Sequence, residues 1–143
     1  MCRNAAVFSM ITLAAAAMTL VVSNNQTAAQ DEALKARVYE LRTYHCNPGK
    51  LDSLHARFRD HTNHLFVRHG ITLIGYWTPV DGDGNTLTYL IAHDSREAAQ
   101  ESWKSFVADP DWKEVFAASR EGGPLVAKID SVYLSPTDYS PLR

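Results

Sequence analysis

The sequence predicts one small α+β domain of the β-α-β-β-α-β type, on three observations. An alternating stretch near residue 40 is followed directly by a stretch with helical spacing. Two apolar runs then flank a turn rich in Gly, Asp and Asn. A second helical stretch, interrupted by proline, leads into a last alternating run. A change of apolar period from two to between three and four marks each change from strand to helix.

The first strand covers Arg37–His45. Tyr39, Leu41 and Thr43 point to one side of it, and Glu40, Arg42 and Tyr44 to the other. Asn47-Pro48-Gly49 ends it, with Asn47 as a candidate helix cap and Pro48 at the first helical position. From Lys50 to His69 the row Leu51, Leu54, Phe58, His61 and Leu65 recurs at threes and fours, so an amphipathic helix is expected. Arg57, Arg59, Asp60 and Arg68 fall on its other faces. Gly70 ends it, because glycine accepts a left-handed conformation at low cost.

Ile71–Pro79 and Thr86–Asp94 read as a hairpin about Asp81-Gly82-Asp83-Gly84-Asn85. Asp94 and Glu97 have the spacing of a capping box, and Ala99, Trp103 and Phe106 form the apolar stripe of the helix behind it. Asp109-Pro110-Asp111 breaks and restarts that helix, with Trp112, Val115 and Phe116 expected to face inward. Gly122-Gly123-Pro124 stops it before a last strand, Val126–Leu134. The order is that of a ferredoxin-like fold: a four-stranded antiparallel sheet in the order 4-1-3-2, with a split second helix and the helices on one face.

Residues 1–29 read as a signal peptide. Arg3 is followed by an uncharged stretch over Ala5–Val22, and Thr27-Ala28-Ala29 supplies the small residues a signal peptidase reads, so cleavage is expected after Ala29. An uncleaved anchor is the alternative. Residues 30–36 form a linker and residues 37–141 the domain. The expected localisation is exported, periplasmic or extracellular, with no membrane association after cleavage. A net charge of −2, with the two signs interspersed, gives no footprint for nucleic acid. Cys2 leaves with the signal peptide, so Cys46 is alone; burial, interchain pairing and a reactive thiol are its alternatives.

Tyr39-Glu40-Leu41-Arg42-Thr43-Tyr44 followed by Pro48-Gly49-Lys50-Leu51 resembles the opening of a NIPSNAP domain. Phe66 with His69-Gly70, then Gly75-Tyr76-Trp77, and Asp109-Pro110-Asp111-Trp112 resemble further segments of that family in the same order. The resemblance implies a dimeric α+β barrel, in which two ferredoxin-like sheets pack face to face as a homodimer. It brings no defined reaction or cofactor. Fold analogy adds two further readings: a cofactor-free monooxygenase-like or haem-handling enzyme, and an interaction module without a pocket.

His61 is the leading site candidate, because it interrupts the apolar row of the first helix. It is expected to look toward Tyr39 and Thr43, either of which could be its hydrogen-bond partner, and Trp77 is the fourth candidate ligand-binding residue. A satisfied core histidine is the structural alternative. His61 and His64 lack the Glu of an H-E-x-x-H pattern, so no metal site is expected. Asp81, Asp83 and Asn85 lack the twelfth-position Glu of a calcium loop, where Ala92 stands. His45 is badly placed to act as a base for Cys46, since neighbours on a strand face opposite ways. Trp77, Trp103 and Trp112 read as core aromatics rather than a cofactor box. Glu40, Arg42 and Tyr44, together with Lys128 and Asp130 of the last strand, are expected on the sheet face away from the helices. There they would pair across strands and line the space between two sheets, with an unassigned small molecule or a protein as partner.

Overall fold

The computed structural model describes residues 37–142 apart from Asp83. The signal peptide at 1–29 and the linker at 30–36 lie outside the described residues. Among the described residues no helix is long and apolar enough to cross a membrane.

Strand β1 is Val38–Cys46, β2 is Thr72–Trp77, β3 is Thr86–His93 and β4 is Val126–Leu134. They form one antiparallel sheet in the order β2-β3-β1-β4, the ferredoxin-like arrangement. Helix α1 is Leu51–Arg57, a π-helical turn occupies Phe58–Thr62, and α2 is Asn63–Arg68. Helix α3 is Arg96–Ala108 and α4 is Pro110–Ala118. The expected split lies between these two, where the Asp109 side chain caps Asp111 N and Pro110 opens α4.

Two caps differ from expectation. Ser95, not Asp94, holds the start of α3, its Oγ accepting from Ala98 N at 3.1 Å. Helix α1 starts at Leu51 behind Lys50, with no side-chain cap, because Asn47 is drawn away to donate to the Pro124 carbonyl at 2.7 Å. Gly70 ends α2 as expected, at φ 75°.

The larger difference is which face of the sheet turns inward. Glu40, Arg42, Tyr44 and Cys46 lie under the helices, and Tyr39, Leu41, Thr43 and His45 form the face opposite. The register gives the reason. Tyr44 stands across from Leu87, Arg42 from Tyr89 and Glu40 from Ile91. That row of β3 is the most apolar on the sheet and is fully buried. Burying it carries Glu40 and Arg42 inward, where they neutralise each other at 2.5 Å. Lys128 and Asp130 belong to the other face, opposite His45 and Thr43, and Asp130 pairs with Lys128 and His45 there. The cross-strand charge pairing expected between the Glu40 row and Lys128 or Asp130 therefore does not form.

The face away from the helices carries Leu41, Leu90, Val132 and Leu134, and is apolar over this part. Val132 and Leu134 are exposed, as is Trp77, whose ring lies over Gly75; a Cβ at Gly75 would stand 2.6 Å from the indole.

Candidate functional site

The first helix wraps an extra residue into its second turn. Asn63 N donates to the Phe58 carbonyl five residues back, and Thr62 Oγ1 donates to the Arg57 carbonyl at 3.2 Å. A single π-turn rotates every later side chain relative to a regular helix. The buried row is therefore Leu54, Phe58, Thr62, Leu65 and Phe66, and His61 is turned out to solvent. His61 borders a shallow depression with Asp60, Glu114 and Ser119, away from the sheet. It makes no contact with Tyr39 or Thr43. Thr43 Oγ1 instead lies 3.3 Å from Thr88 Oγ1, and Tyr39, Thr43 and Trp77 share the open face. The four expected ligand-binding residues are not brought together, and the cause is the combined effect of the π-turn and the reversed sheet faces.

What the fold does assemble is a cleft of about 780 Å³ between the sheet and the helices. Tyr44 and Ile129 form its floor. Phe58 and Phe66 come from the first helix, Trp103 and Phe106 from α3, and Trp112 and Phe116 from α4. Helix α4 leans on α3 and on the π-turn, and none of its residues is fully buried. The inward packing expected of Trp112, Val115 and Phe116 is thus only partial, and the space under the helix is the cleft. Trp103 and Trp112 line it, whereas Trp77 is on the far face.

At one side of the cleft lies a buried polar network. The Glu40 carboxylate is 1% exposed and accepts four hydrogen bonds. Arg42 Nη1 donates at 2.5 Å and Ser131 Oγ at 2.7 Å to one oxygen; Trp103 Nε1 donates at 2.7 Å and His93 Nε2 at 3.2 Å to the other. With its Nε2 donating, His93 leaves a buried Nδ1 without a partner among the described residues. Burial by itself would raise the Glu40 pKa, but the bonds from His93, Ser131, Trp103 and Arg42 outweigh it and bring it down to about 2. Burial likewise pulls the Arg42 guanidinium down, and the Tyr89 and Tyr44 phenols and Glu40 more than reverse this, so its net shift is upward. Arg42 also lies 4.5 Å from the centre of the Trp103 ring.

Arg57 is a buried cation, at 6% exposure, whereas Arg42 is part-buried. Nη1 donates to Ser119 Oγ at 3.2 Å, and the guanidinium carbon stands 5.3 Å from the Trp112 ring and 5.6 Å from the Phe116 ring. Its Nε has no acceptor among the described residues. Burial pushes the Arg57 pKa down. Cys46, near Arg57, is buried and free, and burial pushes its thiol up. Tyr89 donates to Tyr44 Oη at 3.0 Å, and the Tyr76 hydroxyl stays unpartnered with its pKa raised by burial to about 12.

Arg57 and His93 are residues that sequence reasoning missed. His93 was detectable as the polar end of the alternating row Leu87, Tyr89, Ile91. Arg57 was not, because it sits at the margin of the apolar row, three residues after Leu54, and only the packing of Trp112 and Phe116 over it buries its charge. Among the described residues no group of three or more His, Cys, Asp or Glu could hold a metal ion.

Comparison with known proteins bears on this arrangement. The NIPSNAP family model matches residues 39–141. The chain belongs to the NIPSNAP family. A NIPSNAP family protein with unknown function from Agrobacterium tumefaciens is 24% identical over 76% of this chain and 95% of its own, with a TM-score of 0.67. A NIPSNAP-like domain protein from Burkholderia xenovorans is 22% identical over 73% of this chain and 89% of its own, with a TM-score of 0.66. More distant is a protein from Chloroflexus aurantiacus described as a candidate antibiotic biosynthesis monooxygenase, at 20% identity over 71% of this chain and 94% of its own, with a TM-score of 0.50. At these identities the structural likeness shows the fold. No curated protein matches the chain.

Proposed function

We propose that this NIPSNAP chain is an exported small-molecule-binding protein that works as a homodimer, with its ligand in the cleft between sheet and helices. The observation that carries the reading is the cleft itself. At about 780 Å³, walled by aromatic side chains from three helices with a few polar groups among them, it has the size and lining of a small-molecule site. The test is mass spectrometry of small molecules released from the natively purified protein, beside the variant Ile129→Trp. Ile129 lies on the cleft floor and is half-exposed, so a larger ring enters the cleft without displacing the core. Retention of a molecule by the parent and its loss from Ile129→Trp supports the reading; equal retention by both sinks it.

The homodimer reading rests on the open sheet face. Leu41, Leu90, Val132 and Leu134 form a strip of apolar side chains there, and a second copy of the same face would cover it. Val132→Lys on the edge strand places a charge in that strip without touching the core. Light scattering should report twice the chain mass for the parent and a single chain mass for Val132→Lys; a monomeric parent refutes the dimer. Export rests on the Arg3, Ala5–Val22 and Thr27-Ala28-Ala29 pattern. N-terminal sequencing of exported protein should begin at Gln30.

A further inference from the structure

We infer that the cleft takes an organic anion, a carboxylate on an apolar or aromatic body, with Arg57 as the residue that binds its charge. The inference rests on the reading of the cleft as the ligand site and adds the ligand's charge to it.

The cleft carries uncompensated positive charge. Arg42, Arg57, Lys113 and Arg120 line the cleft, no Asp or Glu does, and Lys128 borders it only from a strand position that belongs to the far face of the sheet. Arg42 is neutralised by Glu40 and Lys128 by Asp130. Arg57, Lys113 and Arg120 have no carboxylate within 4.0 Å among the described residues. For Lys113 and Arg120, which are exposed, water supplies the compensation. For Arg57 it does not: the side chain is buried and rests on the rings of Trp112 and Phe116. Among the described residues its only side-chain hydrogen bond is to the neutral hydroxyl of Ser119, and its buried Nε has no acceptor.

Arg120 adds to the imbalance. Its guanidinium carbon stands 4.8 Å from the centre of the same Phe116 ring, and its charge opposes that of Arg57. Two like charges stand against one aromatic ring, and neither has an acid beside it among the described residues. A buried cation without a counter-charge is costly, and a guanidinium presents its donors in a fork that matches a carboxylate. A bound anion between Arg57 and Arg120 would remove both costs. The remaining walls, Phe58, Trp103, Phe106 and Trp112, are apolar and would be left wet by a small hydrated anion such as phosphate. They ask for an apolar body attached to the charge.

The test is calorimetric titration of the exhaustively dialysed protein with 2-naphthoate and decanoate, each beside its neutral alcohol, 2-naphthalenemethanol and decanol. The carboxylates should bind about tenfold or more tightly than the alcohols, the worth of a charge-assisted hydrogen bond. Arg57→Gln should bring that ratio close to one while leaving alcohol binding in place. Arg120→Gln, at an exposed position, should lower the ratio by a smaller factor and carries the test if Arg57→Gln fails to fold. Inorganic phosphate at the same concentration should not compete. Alcohols binding as tightly as acids, or a ratio that survives both substitutions, overturns the anion inference and leaves the cleft as the ligand site. Phosphate displacing the carboxylates overturns the requirement for an apolar body. If none of the four compounds binds, the cleft reading falls with it.

Discussion

Replacing Glu40 by Gln removes one oxygen and the charge from a carboxylate that only accepts. All four of its partners donate, two to each oxygen: Arg42 and Ser131 to one, His93 and Trp103 to the other. A glutamine amide must turn its NH₂ toward one of these pairs, which sets donor against donor and leaves the part-buried Arg42 without its counter-charge. Breaking a buried ion pair from one side costs about 3–5 kcal/mol. The lowered pKa of Glu40 gives a second figure. A fall in the Glu40 pKa from 4.5 to about 2 is worth about 3 kcal/mol of folding free energy. Because the folded-state value is the lower one, that stability is fully present above the unfolded pKa and is lost as pH falls through 4.5 toward about 2. Urea unfolding at neutral pH should therefore show Glu40→Gln destabilised by about 3–5 kcal/mol, and the gap between parent and variant should narrow steadily as the pH falls below 4.5. A cost below about 1 kcal/mol, the net worth of a single ordinary hydrogen bond, would refute the reasoning. So would a gap that does not change with pH.

Two further outcomes follow from the packing. Cys46 is buried with its thiol pushed up by burial, and the nearby Arg57 charge only partly offsets this. A disulfide reagent at mildly alkaline pH should modify the native protein about a hundredfold more slowly than the urea-unfolded chain, and immediate labelling of the native protein would contradict the burial. Gly70 ends α2 at φ 75° with the nearest foreign atom to an added Cβ, Ser102 Oγ, at 3.6 Å. Gly70→Ala therefore has room but not the backbone conformation, and should cost about 1–2 kcal/mol in a thermal or urea melt; a neutral result would mean that the turn relaxes.

The order of elements, the hairpin, the split at Asp109-Pro110 and the family are legible in the sequence, because each rests on local chemistry. Period, proline geometry, glycine's access to positive φ and side-chain capping act within a few residues. Even so, the start of α1 and the cap at Ser95 moved where a neighbour offered a better hydrogen bond. Two decisions belonged to the tertiary structure alone. Strand β1 alternates between Tyr39, Leu41, Thr43 and Glu40, Arg42, Tyr44, and alternation defines the two sets without saying which turns inward. The burial of Leu87, Tyr89 and Ile91 on the neighbouring strand decided it, and Glu40 and Arg42 could follow because His93, Trp103 and Ser131 come from distant segments to complete their bonds. The π-turn at Phe58–Thr62 is the second. No residue in FRDHT demands an extra residue in the turn; packing does, by placing Thr62 rather than His61 against the core. That single rotation put His61 in solvent, while Arg57, which precedes the turn, is buried where Trp112 and Phe116 pack against it, so the candidate site moved from the residue that spacing favours to one whose burial only the packing decided.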